Sequence, residues 1–165
     1  MQWFFLALAL MLLLTVLPKT KTRSQAAIPK QLPVRTKPYF FSRSERELFE
    51  QLLIILPSHQ FRVFPNVRIS DLFTIEASGA KARATYGRMQ EKHVDFLVVK
   101  LPEHRPVLGI ELDGPSHTAA AQQYRDAVKN VIFESAGLPL LRLSTKRQFT
   151  SAQLAALLAP LLSRR

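Results

Sequence analysis

Cysteine is absent from this 165-residue chain, which excludes disulfide partners, thiolate zinc sites and a cysteine nucleophile. The four histidines are scattered without zinc-binding spacing, so a metal would have to be held by oxygen ligands. Acids are scarce as well: 12 Asp and Glu face 23 Lys and Arg, a formal charge of +11. Residues 1–36 contain no acid at all, but they hold only Lys19, Lys21, Arg23, Lys30 and Arg35. Beyond them 18 bases still face 12 acids, so the excess is not confined to a tail. A basic body of this kind suits an anionic polymer. No internal repeat is present, and a hydrophobic content of 47% over this length suits one globular domain.

Met1–Leu17 is an uncharged run rich in Leu, Ala and Phe, closed by Pro18 and followed by Lys19, Lys21 and Arg23. Its length is about the shortest that spans a bilayer. A secretory signal carries its charges before the run and small residues at a cleavage site. Here the charges follow, so the segment reads as an uncleaved single-pass transmembrane helix. Flanking bases stay cytoplasmic, which predicts the amino terminus outside the cytoplasmic (inner) membrane and the domain in the cytoplasm. Residues 18–37 are polar, basic and proline-bearing, an extended tether suited to anionic headgroups. Residues 38–165 are left for the domain.

Within that domain Ser42-Arg43-Ser44-Glu45 has the capping-box spacing and precedes Leu48, Phe49, Leu52, Leu53 and Leu56 at helical intervals, so a helix is expected up to Pro57. Phe61–Phe64 and Val67–Ile69 suggest strand, with Pro65 marking an edge or a break. Residues 74–91 show no periodicity and read as a loop. Strands are expected at 94–100 and 107–113, joined tightly enough for an antiparallel hairpin. A helix over Ala119–Ala136 follows, with Tyr124, Val128, Val131, Ile132 and Ser135 as its apolar stripe and Gly137 as its stop. Leu138–Leu143 reads as strand and 151–162 as a last helix.

Two of these strands carry carboxylates. Asp95 interrupts Val94–Val99, and Glu111 and Asp113 interrupt Val107–Leu112. Side chains alternate along a strand, so Glu111 and Asp113 share one face while Leu108, Ile110 and Leu112 take the other. If the Asp95 strand is adjacent, three acids converge, an arrangement that requires protons or a cation. Oxygen ligands of this type suit Mg2+ or Mn2+.

The order of elements is similar to the core of the PD-(D/E)XK nuclease superfamily. More closely, Lys92-His93-Val94-Asp95-Phe96, Ile110-Glu111-Leu112-Asp113-Gly114-Pro115-Ser116-His117, Arg125-Asp126-Ala127-Val128-Lys129 and Ala136-Gly137-Leu138-Pro139-Leu140-Leu141-Arg142 resemble the bacterial family called domain of unknown function 2726, over roughly residues 38–143. That family is grouped with very-short-patch-repair-like and restriction-endonuclease-like folds. The resemblance implies an α/β fold, a central mixed four-stranded sheet flanked by helices, here preceded by the membrane helix. It also implies a metal-dependent phosphodiesterase site. Carried over, the superfamily's metal ligands fall on Glu45, Asp95 and Glu111. Its usual lysine, two residues after the glutamate, is replaced by Asp113, itself a candidate catalytic residue placed to add a ligand or to orient His117 or Lys129. Lys129, on the following helix, is the expected substitute, and His117 is placed to position water, donate a proton or contact phosphate. Lys92, His93 and Arg125 are the candidate nucleic-acid contacts, with DNA favoured over RNA.

Structural accounts stand beside these roles. Glu45 is explained by the capping box, Asp95 by pairing with Lys92 or Arg68, and Glu111 by a buried salt bridge with Lys129. Asp113-Gly114-Pro115 is ordinary turn chemistry. His117 suits a loop hydrogen bond or a helix cap, and Arg125 and Asp126 a solvated helix face. Three function classes therefore remain: a membrane-tethered Mg2+- or Mn2+-dependent nuclease, a non-catalytic nucleic-acid-binding module on the same fold, and a membrane-surface interaction protein.

Overall fold

Reciprocal capping opens the first helix. Ser42 Oγ accepts from the Glu45 backbone N–H at 3.3 Å, and the Glu45 carboxylate accepts from Ser42 N–H at 2.7 Å. In the computed structural model, which describes residues 30–114 and 120–163, this helix is α1 (Arg43–Ile55). Beyond it follow β1 (Phe61–Arg68), α2 (Ile69–Leu72), α3 (Gly79–Met89), β2 (His93–Lys100), β3 (Arg105–Asp113), α4 (Ala120–Ser135), β4 (Leu140–Ser144) and α5 (Ser151–Leu162). The chain divides into two units, Met1–Lys37 and Pro38–Arg165. The described part of the first, residues 30–37, has no helix or strand. All the elements of the described residues belong to the second. Among the described residues no helix is long and apolar enough to cross a membrane. The expected membrane helix, 1–17, lies outside them.

The sheet is mixed and ordered β1-β2-β3-β4. The first three strands run antiparallel and β4 joins β3 in parallel, with α4 as the crossover. On one face Leu48, Leu52 and Leu56 of α1 and Leu154 and Leu158 of α5 pack on Phe96, Val98, Leu108, Ile110 and Leu143. On the other, Ile69, Met89 and Phe133 pack on Val94, Leu97 and Val99. The α/β class, the mixed four-stranded sheet and its flanking helices are as the sequence predicts.

Pro65 marks an edge, one of the two expected alternatives: it pairs with Phe96 on β1, an edge strand of the sheet, where a missing N–H does no harm. Two other local expectations are corrected. Residues 79–89 are helical rather than loop. Met89 is the only fully buried residue of α3, so no apolar stripe reveals the helix, and its alanines and bases form it by propensity. On α4 the expected stripe is rotated. Tyr124 and Val131 are exposed, whereas Phe133 is buried and Gln122, Asp126 and Lys129 lie on the partly buried side with Ile132.

Gly109 sets how closely α4 approaches. It alternates onto the same face as Glu111, and a Cβ there would stand 2.5 Å from Phe133 Cε1 and 3.1 Å from Leu140 Cδ1. Gly109→Ala is expected to lower the unfolding free energy by about 1–3 kcal/mol in urea titrations. Phe133→Leu in the same chain should recover part of that loss, and a neutral Gly109→Ala would refute the close contact.

Candidate active site

The face of β3 that carries Gly109 carries Glu111 and Asp113 two and four residues further on. Phe96 pairs with Ile110, so Asp95 and Glu111, the next residue on each strand past that pair, are cross-strand neighbours on this face. Asp95 is half-buried and accepts the Leu112 backbone N–H at 2.7 Å. Neither Lys92 nor Arg68 is its partner. Glu111 is 5% exposed and is the one polar or charged residue among the described residues of the buried core. Lys129 Nζ donates to both of its carboxylate oxygens, at 2.8 and 2.7 Å. Lys129 therefore reaches inward to Glu111, and this contact is the buried salt bridge of the structural account.

The reach follows from helix geometry. Phe133 sits against Gly109, and Lys129, one turn earlier, sits against Glu111, two residues later on the strand. Burial pushes the Glu111 carboxyl from its ordinary 4.5 up to about 7, against the opposing pull of Lys129 and with Asp95 adding to the rise. Asp95 is raised chiefly by burial. The Leu112 N–H and Lys129 oppose that rise, and the charges of Glu45 and Asp113 add to it.

Asp113 stands apart from this pair. Arg142 of β4 donates to it from Nη1 at 2.8 Å, and reaches Asn130 Oδ1 from Nε at 3.1 Å and Asp126 Oδ1 from Nη2 at 3.4 Å. One guanidinium thus ties β3, β4 and α4 together. Asp126 is a part of this network rather than a solvated surface charge, and it also accepts from Gln122 Nε2 at 3.1 Å. Arg142, Asn130 and Gln122 were not singled out from the sequence. The available signal was Arg142 itself, a charge two residues after Leu140 and hence on the same inward face of a strand.

The other expected residues are distributed as follows. Glu45 remains in its cap, close enough for its charge to act on Asp95. Among the described residues no group of three Asp, Glu or His is arranged to hold a metal, so the convergence of Glu45, Asp95 and Glu111 does not occur as a preformed triad. Lys92, just before β2, and His93, its first residue, lie three and two residues from Asp95, half-buried and exposed respectively. Arg125 is exposed and turned onto Gln122 of its own helix, at 2.6 Å. His117 lies outside the described residues.

Fold and site together define an α/β domain with a carboxylate pair on its central strands, countered by a helix lysine and flanked by an arginine clamp. No curated protein and no solved structure matches the chain. The model of a family described as a protein of unknown function, DUF2726, matches residues 37–161, and the chain belongs to that family.

Both carboxyls are raised, so the folded protein retains protons that the unfolded chain gives up. Their contribution to stability is greatest below the ordinary carboxylate range and is lost as pH rises toward 7. Lys129→Met removes the counter-charge from a buried carboxylate, so its cost should be small at pH 5 and about 3 kcal/mol at pH 8. Urea denaturation with chelator present measures this, and equal losses at both pH values would contradict it.

Proposed function

We propose that the protein is a metal-dependent phosphodiester hydrolase of the PD-(D/E)XK nuclease superfamily, acting on nucleic acid, DNA in the first instance, and held at the cytoplasmic membrane by residues 1–17. The observation that carries this reading is the cross-strand Asp95–Glu111 pair with Lys129 Nζ 2.7 Å from Glu111. A buried ion pair is a poor source of stability, so its placement beside a second carboxylate calls for a chemical purpose.

The donor set fits a hard divalent cation. Both groups are carboxylates on the α4 face of the sheet, and Asp95 accepts the Leu112 N–H through Oδ2. Asp95 and Glu111 would hold the ion, Mg2+ or Mn2+. When bound, it supplies Lewis-acid stabilisation of phosphate charge and acidifies water. The protein's own groups divide the remaining work. Lys129, displaced from one Glu111 oxygen, offers its ammonium to a phosphate oxygen, the role that the superfamily's usual lysine serves from the position of Asp113 here. Asp113, bound by Arg142, holds the clamp that orients α4 instead of joining the ligands. Glu45 adds negative potential from its cap. Eighteen bases beyond residue 36 supply a surface for the polyanion.

The full chain is expected to cleave DNA or RNA when Mg2+ or Mn2+ is supplied and to stop on chelation. Asp95→Asn and Glu111→Gln should each abolish cleavage with the fold intact by circular dichroism. Unchanged cleavage in the double variant would sink the proposal. Lys129 also occupies both Glu111 oxygens, which favours a second reading, a non-catalytic binding module. Salt-dependent binding that persists in chelator, with no cleavage of any substrate, would select that reading.

A further inference from the structure

We infer that the start of the second unit, around Tyr39, Phe40, Arg43 and Arg46, is a docking surface for an anionic phospholipid bilayer. The inference does not rest on the hydrolase reading.

Tyr39 is 78% and Phe40 68% exposed, two adjacent large aromatics in water. They are not part of a loose end. The next residue, Phe41, turns inward, its ring 5.1 Å from Phe49 and 6.0 Å from Phe96, and Phe49 stacks in turn on Phe96. Phe40 meets the edge of Phe41 at 4.9 Å. The core therefore pins residue 41, and the two residues before it stand outward. Around them is a cleft of about 550 Å3 whose lining includes Arg43 and Arg46. These two arginines lie three residues apart and so share a helix face. Arg43 gives its Nε to Glu47 at 2.8 Å yet remains 87% exposed.

Charge and chain position select the occupant. From residue 18 to residue 46 the chain holds eight Lys and Arg and a single acid, Glu45, whose carboxylate is engaged in the Ser42 cap. Amphipathic aromatics beside bases are the chemistry of the headgroup layer, with rings at the glycerol level and guanidinium groups on phosphate. The patch also follows directly in sequence on the basic segment and the uncharged Met1–Leu17 run. A nucleic acid would equally accept the arginines. It would not account for that succession.

The test uses the full chain, whose single tryptophan is Trp3. In a Trp3→Phe background, Phe40→Trp places an indole in the patch and Tyr124→Trp places one on exposed α4 as a control. Each protein is mixed with vesicles of phosphatidylcholine alone, or with added phosphatidylglycerol, containing lipids brominated near the headgroup. The Phe40→Trp indole should be quenched and blue-shifted in the phosphatidylglycerol vesicles and the Tyr124→Trp indole should not. Arg43→Gln and Arg46→Gln should each lower the docked-to-free ratio about fivefold. An unquenched indole at position 40, whether or not the chain floats with vesicles, overturns the inference, as does equal quenching at both positions. If single-stranded DNA releases the quench and the arginine variants weaken oligonucleotide binding instead, the patch belongs to nucleic acid. In either case metal-dependent cleavage and its loss in Asp95→Asn would be unaffected, which keeps the two proposals separate.

Discussion

The Glu111–Lys129 pair is the interaction around which the domain is arranged. Glu111 lies in the middle of the sheet, where a lone carboxylate is costly, and its ion-pair partner comes from another layer of the fold. For that charge to arrive, α4 must lie close over β3. The approach is possible because position 109 has no side chain and Phe133 occupies the space. Packing two residues away thus decides whether the carboxylate is neutralised. Burial in turn holds its proton affinity near neutrality despite the ammonium beside it.

Around this centre the charges divide into two sets. Arg142 faces Asp113 and Asp126, and fastens β4 and α4 to the end of β3. Lys129 is bonded to Glu111, and its charge also acts on Asp95. When both carboxylates are ionised, the inner set carries one negative charge in excess, in a domain that is otherwise strongly basic. A small cation at the centre, as proposed above, would offset that excess. Had Arg142 been apolar, Asp113 would have joined the inner set and raised the cost of ionising either neighbour.

What was legible in the sequence follows the range of the signals. The cap at Ser42–Glu45, the β2–β3 hairpin and the alternation that places Glu111 and Asp113 on one face are local patterns, and they reappear intact. Helix α3 was hidden because Met89 alone among its residues is buried. The face of α4 was misread for a more instructive reason. An apolar stripe identifies the buried side only where burial serves packing, and here Gln122, Asp126 and Lys129 occupy part of that side. Arg142 was out of reach because its partners arrive through a parallel pairing made across α4, from residues 12 to 29 positions away.

In the proposed site the lysine stands at 129 on α4 rather than at 113 on β3, and its position there depends on the layers. A lysine at 113 would be placed by strand register alone, which side-chain alternation makes hard to shift. A lysine on α4 is placed by the docking of a whole helix, so its position depends on everything that seats that helix. Phe133 against Gly109 fixes the height, and Arg142 against Asp126 and Asn130 fixes the helix laterally. Asp113 is what allows this second contact, since it supplies the short bond that holds the guanidinium in place. Asp113 and Lys129, the two residues on which the proposed superfamily reading turns, are therefore mechanically linked through Arg142 and α4, and neither can be understood in isolation.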